Sequence, residues 1–228
     1  DEATTISANR AELEQACAVL GVAEIVELGL PTDTLGDTST VALRERIIHA
    51  VRAHRPYALV SFDPYAMYGE DNLDHVTVAR AVDEAFWTSQ FDLHHPEHAD
   101  EVSPFTGAPL VPHGCFARWY FGRDVVDVTD VVDTTATLAR TVEAACCHRT
   151  MMLNFFNQLR LQARTGGWDL PAVDAALAAG SVDDLLPRLV RAGAERTGAR
   201  HGLAAAEEFR VVTFGGMTEL LHALGRRR

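Results

Sequence analysis

The chain lacks several features that would assign it to a large class of proteins. None of its apolar runs approaches the about 18 residues that a membrane-spanning helix needs, and no charged segment followed by an apolar stretch resembles a signal peptide. It also has neither G-x-G-x-x-G nor G-x-x-x-x-G-K-[ST], the glycine-rich patterns of nucleotide binding. The sequence therefore predicts no membrane insertion and disfavours a nucleotide-binding module.

Cysteine is scarce, and its spacing suits neither a zinc knuckle nor a disulfide framework. The chain has 4 cysteines, two of them adjacent and none in a C-x-x-C pattern. This usage predicts a reducing, cytoplasmic location. The cysteines are Cys17, Cys115, Cys146 and Cys147.

Basic residues are outnumbered, with 20 Lys and Arg against 32 Asp and Glu and a formal net charge of -12. A chain of this charge is repelled by the phosphate backbone of nucleic acids and by anionic membrane surfaces. The closing run Arg226 to Arg228 is too short to reverse that repulsion. We therefore expect a small-molecule partner rather than a nucleic acid.

Helix-like and strand-like patterns alternate along the chain, which predicts an α/β fold with a Rossmann-like, mostly parallel sheet and helices on both faces. The length of 228 residues and the absence of repeats or a clear linker predict a single domain over 1–228. Predicted helices cover a segment capped by Ser7 or Asn9 and ended by Gly21, then Val41 to His54, Val76 to Trp87, Val131 to Gly166 and Pro171 to Leu203; predicted strands are Glu24 to Leu28, Tyr57 to Phe62, Phe116 to Phe121 and Val125 to Val128.

The densest group of chemically active side chains follows the second predicted strand, between Phe62 and His75. Ligands of parallel sheets bind at the carboxyl ends of strands, so this loop predicts a catalytic rim. Its Asp74-His75 pair, at the start of a helix, suits a metal ligand with a supporting carboxylate. A helix-capping aspartate beside an exposed histidine is the alternative interpretation.

Several short patterns in this loop and elsewhere occur together in one known family. In the loop they are carried by Asp63, Pro64, Tyr68, Gly69, Asp74 and His75; the other segments are Arg10 to Leu13, Leu20 to Val22, His95 to His98, Pro112-His113, Trp119 to Gly122, Val126 to Thr129, Ala145 to His148 and Ala206 to Arg210. These segments resemble the LmbE/PIG-L-like superfamily (GlcNAc-PI de-N-acetylases), a family of zinc-dependent deacetylases. The loop is similar to the family's D-P-x-x-x-Y-G followed by H-P-D-H, although two residues are inserted and Asn72-Leu73 replace His-Pro.

The resemblance implies a role for each of these candidates. His75 is expected to be a ligand of Zn²⁺, and Asp74 a catalytic carboxylate that supports a histidine. Tyr68 and His148 are expected to polarise the acyl carbonyl in catalysis, and Arg10 to bind the substrate. The histidines His94, His95, His98 and His113 suggest a second metal site, which we disfavour because the family places this segment in a loop.

The family's H-P-D-D run, which supplies the other zinc ligands and the general base, is absent from the chain. We expect these ligands to come from an N-terminal strand-helix-strand segment that the sequence lacks. Glu70 or Asp71 is the candidate to replace the missing general-acid histidine at the substrate.

The predicted function is therefore a zinc-dependent amide hydrolase that removes an N-acetyl or longer N-acyl group from an amino sugar or glycoconjugate. Such a reaction would fit either natural-product metabolism or thiol-cofactor metabolism. The alternative is a metal-free, catalytically degenerate relative that binds carbohydrate. The apolar helices could pack against a second copy of the chain in a homo-oligomer or against the protein's own core.

Overall fold

The computed structural model describes residues 2–65, 70–122, 125, 127–213 and 217–226. These residues form a mixed α/β fold with a small open sheet, which confirms the predicted fold class. No helix among them is long and apolar enough to cross a membrane. The helices are α1 (Glu2–Leu20), α2 (Thr40–His54), α3 (Leu73–Thr88), α4 (Leu138–Cys147), α5 (Arg149–Thr165), α6 (Pro171–Ala179), α7 (Leu186–Arg200) and α8 (Thr218–Leu224); the strands are β1 (Ala58–Phe62), β2 (Ala117–Phe121), β3 (Asp130–Asp133) and β4 (Ala206–Thr213).

The sheet has the strand order β1-β2-β4-β3. β1 runs parallel to β2, with Phe62 opposite Phe121 at their carboxyl ends. β4 pairs antiparallel with β2 and places Arg210 opposite Tyr120. This register brings the end of β1 and the middle of β4 to neighbouring positions beside β2.

The chain divides into two compact units. We call the first, Asp1–Ile25 with Val132–Glu207, the helical unit, and the second, Val26–Val131 with Glu208–Arg228, the sheet unit. The boundary falls within β3 and β4. The single-domain prediction stays a prediction.

Local sequence explains both ends of α2 and the start of α3. The Ser39 side chain accepts a hydrogen bond from the Ala42 amide and caps α2. α2 ends at His54, and its C-cap residue Arg55 is in the left-handed conformation, directly before Pro56. The Asn72 side chain accepts from the Asp74 amide and caps α3.

Each unit has its own apolar core. In the sheet unit, Val51, Phe86 and Cys115 pack together, and a second cluster gathers around Leu43. In the helical unit, the largest cluster is built around Phe156 and Val182, which are fully buried. Burial of this kind is the main favourable term in folding.

Several details of the predicted elements were wrong. α1 begins at Glu2, so Ser7 and Asn9 lie inside the helix rather than at its cap. Glu24 to Leu28 is not a strand, and neither are the described residues of Val125 to Val128. β3, β4 and breaks between α4 and α5 and between α6 and α7 were missed.

Candidate functional site

The predicted catalytic loop leaves β1 at the carboxyl end of the parallel β1/β2 pair. Phe62 is the last residue of β1, and its ring packs against Phe121, the last residue of β2, with centroids 4.8 Å apart. The Asp63 amide continues the pairing by donating to the Phe121 carbonyl at 3.0 Å. Grooves at this edge of a parallel sheet are the usual ligand sites of α/β proteins.

Asp63, the first residue of the loop, forms a buried ion pair with Arg210 of β4. Nε of Arg210 donates to Oδ2 at 2.8 Å and its terminal nitrogen donates to Oδ1 at 2.5 Å, while the Asp63 side chain has no exposed surface. The Tyr65 amide also donates to Oδ1, at 2.9 Å. The hydrogen bond with Asp63 raises the pKa of Arg210. This two-pronged contact fixes the start of the loop on the sheet.

A second charged pair lies next to the first in the sheet unit. Arg118 contacts the Asp83 carboxylate at 2.7 Å, and the Tyr120 hydroxyl donates to the same carboxylate. The Arg210 guanidinium lies 4.5 Å from the centre of the Tyr120 ring. Burial, and then the hydrogen bond with Asp83, raise the pKa of Tyr120, which therefore stays protonated at neutral pH. Tyr120 is a structural donor in this network.

His75 lies over the end of β1. Its ring stacks on Phe62 with centroids 4.0 Å apart and an interplanar angle of 11°. Its Nδ1 atom is buried and makes no hydrogen bond within the described part of the chain, although Oε2 of Glu70 is 3.2 Å away. The side chain as a whole is 39% exposed. Stacking on Phe62 keeps the imidazole in place, and Nδ1 has no hydrogen bond among the described residues. A nitrogen of this kind is a suitable ligand for a zinc ion.

Asp74 holds a neighbouring loop in this structure. Its Oδ2 accepts from the Asp33 amide at 2.6 Å and from the Thr32 hydroxyl at 3.3 Å, and its Oδ1 accepts from the Leu35 amide at 3.2 Å. Each carboxylate oxygen thus has a protein donor. These hydrogen bonds anchor the loop, and the catalytic role of Asp74 stays a prediction.

The two acidic candidates of the loop differ in their surroundings. Glu70 is half-buried, its Oε1 accepts from the Asn72 amide at 3.0 Å, and its Oε2 faces His75. Asp71 is exposed. Tyr68, the predicted catalytic tyrosine, lies outside the described residues.

Two further candidates lie in the helical unit. Arg10 is in the middle of α1, with a side chain 62% exposed and Nε 3.4 Å from Glu14. His148 lies at the break between α4 and α5, in the segment predicted as one helix over Val131 to Gly166. Its amide donates to Ala145 and its carbonyl accepts from Met152. The predicted roles of Arg10 and His148 stay predictions.

The glutamate of the Arg10 to Leu13 segment has a role that the sequence did not reveal. Both carboxylate oxygens of Glu12 accept from the Thr150 amide at 3.0 Å, and Oε1 also accepts from the Thr150 hydroxyl at 2.8 Å. Thr150 is in the first turn of α5, where free amides and the helix dipole favour a negative charge. Glu12 therefore caps α5 from α1.

A group of metal-ligand type also occurs in the disfavoured histidine segment. Donor atoms of His95, Glu97 and His98 lie within 4.8 Å of one another, so this cluster could bind a metal. His98 is nearly fully buried, however, and both its ring nitrogens have partners: Nδ1 is 3.2 Å from Arg52 and Nε2 is 2.8 Å from Glu45. Because Arg52 only donates, His98 carries its proton on Nε2 and accepts at Nδ1.

Arg52 is the centre of this cluster and uses all five of its donors. Besides His98, four backbone carbonyls of the following segment accept from it, at 2.7 to 3.3 Å. A permanent guanidinium charge at this position repels a divalent cation. The four carbonyls are those of Ser89, Phe91, His94 and His95. Because of this charge, His75 is better suited to bind a metal than the cluster around His98 is.

Comparisons with known proteins agree with this fold and this loop. The family described as PIG-L: GlcNAc-PI de-N-acetylase matches residues 1–86, a range that contains the loop from Asp63 to His75. This match confirms the resemblance inferred from the sequence. No curated protein matches the chain.

Two solved structures share the fold at low sequence identity. The N,N'-diacetylchitobiose deacetylase from Pyrococcus horikoshii, solved with its inhibitor MPG, aligns with a TM-score of 0.65 at 18% identity, over 95% of this chain and 69% of that one. A conserved protein of Thermus thermophilus aligns with a TM-score of 0.57 at 16% identity, over 91% and 73% of the two chains. Both are fold relatives.

Proposed function

We propose that the protein is a zinc-dependent hydrolase that removes an N-acetyl, or longer N-acyl, group from an amino sugar or glycoconjugate. The observation that carries the proposal is His75: it lies in the segment matched by the de-N-acetylase family, at the carboxyl end of β1, with a buried Nδ1 that has no hydrogen bond among the described residues. The P. horikoshii fold relative, which is named as a deacetylase of an acetylated sugar, supports the substrate class.

His75 is the residue of the described chain that would hold the metal. A zinc ion bound there would polarise the acyl oxygen and lower the pKa of a bound water. The remaining donors are expected from the H-P-D-D pattern of the family, which this sequence does not contain. Tyr68 and His148 remain the candidates to polarise the carbonyl, and Arg10 the candidate to contact the substrate.

The rest of the loop serves to keep the imidazole in place. The Phe62 ring, 4.0 Å from that of His75, limits the rotation of the imidazole. The Asp63 and Arg210 pair fixes the residue directly after Phe62. Asp74 ties the first turn of α3 to the segment before α2, through the Asp33 amide. Such support matters because ligand groups must stay within about 0.5 Å of the productive geometry.

The proposal includes a small-molecule acetylated sugar as the partner and a cytoplasmic location. The net charge of -12 argues against a nucleic-acid partner.

The test is acetate release by the full-length protein from a panel of N-acetylated sugars, beginning with N,N'-diacetylchitobiose. We expect time-dependent acetate that falls by at least about 100-fold in His75→Ala, because a direct ligand of the metal is lost. Ser181→Ala, which changes an exposed loop of the helical unit that belongs to no predicted site, is the matched control.

A different outcome would favour the alternative function. Sugar binding without acetate release, from a protein that contains no zinc, would identify a metal-free carbohydrate-binding relative. Acetate release that is equal in the wild type and in His75→Ala would remove His75 from the mechanism.

A further inference from the structure

Glu70 and His75 are arranged like two ligands of one metal ion. Oε2 of Glu70 lies 3.2 Å from Nδ1 of His75. Two ligands with metal bonds of about 2.0–2.2 Å and tetrahedral angles lie about 3.3–3.6 Å apart. The observed separation is close to that range with no rearrangement of either side chain.

The contact is not an ordinary hydrogen bond. Nδ1 of His75 is buried and makes no hydrogen bond with any described residue, although the Glu70 carboxylate is its neighbour. A buried polar atom left without a hydrogen bond costs about 1–3 kcal/mol, so such atoms call for a partner. A cation between the two groups would give the His75 nitrogen a partner.

The backbone of the loop presents the carboxylate in this position. Oε1 of Glu70 accepts from the Asn72 amide at 3.0 Å, so the second oxygen is directed to His75. Asn72 in turn caps α3, the helix that carries His75. Asp71, the other inserted acidic residue, is exposed. Of the two inserted carboxylates, Glu70 is therefore the one placed beside the imidazole.

We infer that Glu70 is a direct ligand of the same metal ion as His75. This inference rests on the proposed function, because it assumes that a metal binds at His75. Of the two inserted residues, Glu70 binds the metal and Asp71 does not. The ligand class is a divalent cation that accepts nitrogen and carboxylate donors, with zinc as the probe.

The experiment is a zinc affinity measurement by competition with a chromogenic chelator, on the full-length protein and four variants. We expect Glu70→Gln to weaken zinc binding by at least about 10–100-fold, because that range applies when a residue that only supports a ligand is changed and a direct ligand contributes more. Glu70→Ala should lose at least as much, because it removes both donor oxygens. Asp71→Asn, which makes the same change of charge one residue away, should keep the wild-type zinc affinity within about threefold.

The fourth variant, His75→Ala, separates this inference from the proposed function. Equal zinc affinity in Glu70→Ala and Asp71→Asn, with loss in His75→Ala, would overturn the role of Glu70 and leave the proposed function standing. A wild-type protein that binds no zinc would overturn both. Circular dichroism of each variant verifies that the fold is retained.

Discussion

The buried pair of Asp63 and Arg210 offers the sharpest test of how the loop is held. Replacing Arg210 by Met keeps most of the side-chain volume but leaves the Asp63 carboxylate without its two charged donors. The carboxylate has no exposed surface, so water cannot replace the guanidinium without a local opening. Only the Tyr65 amide remains as its donor among the contacts described above.

The expected loss follows from that geometry. Removing one partner of a buried ion pair costs about 3–5 kcal/mol, since the other charge stays buried without compensation. For a chain of this size, each kcal/mol lowers the melting temperature by about 2–4 °C, so the shift should be about 6–20 °C. Arg210→Lys keeps the charge but not the two-pronged contact, and we expect an intermediate loss.

Urea and thermal unfolding, followed by circular dichroism, measure this effect. Arg10→Met is the matched control, because Arg10 is 62% exposed and its pairing with Glu14 is a surface contact. Pairs of that kind contribute about 0–1 kcal/mol. A loss below about 1 kcal/mol in Arg210→Met would refute the claim that the pair fixes the loop.

Three further predictions concern other parts of the chain. Glu12→Gln should lower the free energy of unfolding by about 0.5–2 kcal/mol, because the charged cap on Thr150 is lost; urea unfolding measures it. Asp74→Asn should destabilise by about 1–3 kcal/mol and speed hydrogen exchange at the Asp33 amide, which donates to it at 2.6 Å. Cys115, whose pKa burial raises to about 11, should resist thiol reagents at pH 8 in the folded protein.

Each of these three has a clear contrary result. Unchanged unfolding of the Glu12 variant would show that the cap contributes nothing measurable. Unchanged exchange at Asp33 would show that the loop is held by other contacts. Labelling of Cys115 at the rate of an unfolded control, as measured by mass spectrometry of its peptide, would contradict its burial.

Local pattern was sufficient to predict α2, α3, β1 and β2 of the sheet unit. α2 covers the helix predicted over Val41 to His54, and the apolar run before Asp63 is β1, as predicted. The segment Glu24 to Leu28 shows the limit of such patterns: it alternates polar and apolar residues but has no strand partner among the described residues. Strand formation depends on a neighbour, which a local pattern does not contain.

The site was predicted only in part, for a related reason. The loop and His75 stand out in the sequence because ionisable residues follow an apolar run. The partner of Asp63 could not be found in this way, since Arg210 is 147 positions away on β4, a strand that the sequence analysis missed. The anchoring role of Asp74 likewise depends on backbone amides near Asp33, which leave no mark on residue type.

The central claim is that a metal held by His75 carries out the removal of an acyl group from an amino sugar. Its most direct test is acetate release from N,N'-diacetylchitobiose by the full-length protein after chelation, and again after zinc is added back. The account predicts loss of release on chelation, recovery with zinc in the wild type and no recovery in His75→Ala. Undiminished release from the chelated, zinc-free protein would contradict it.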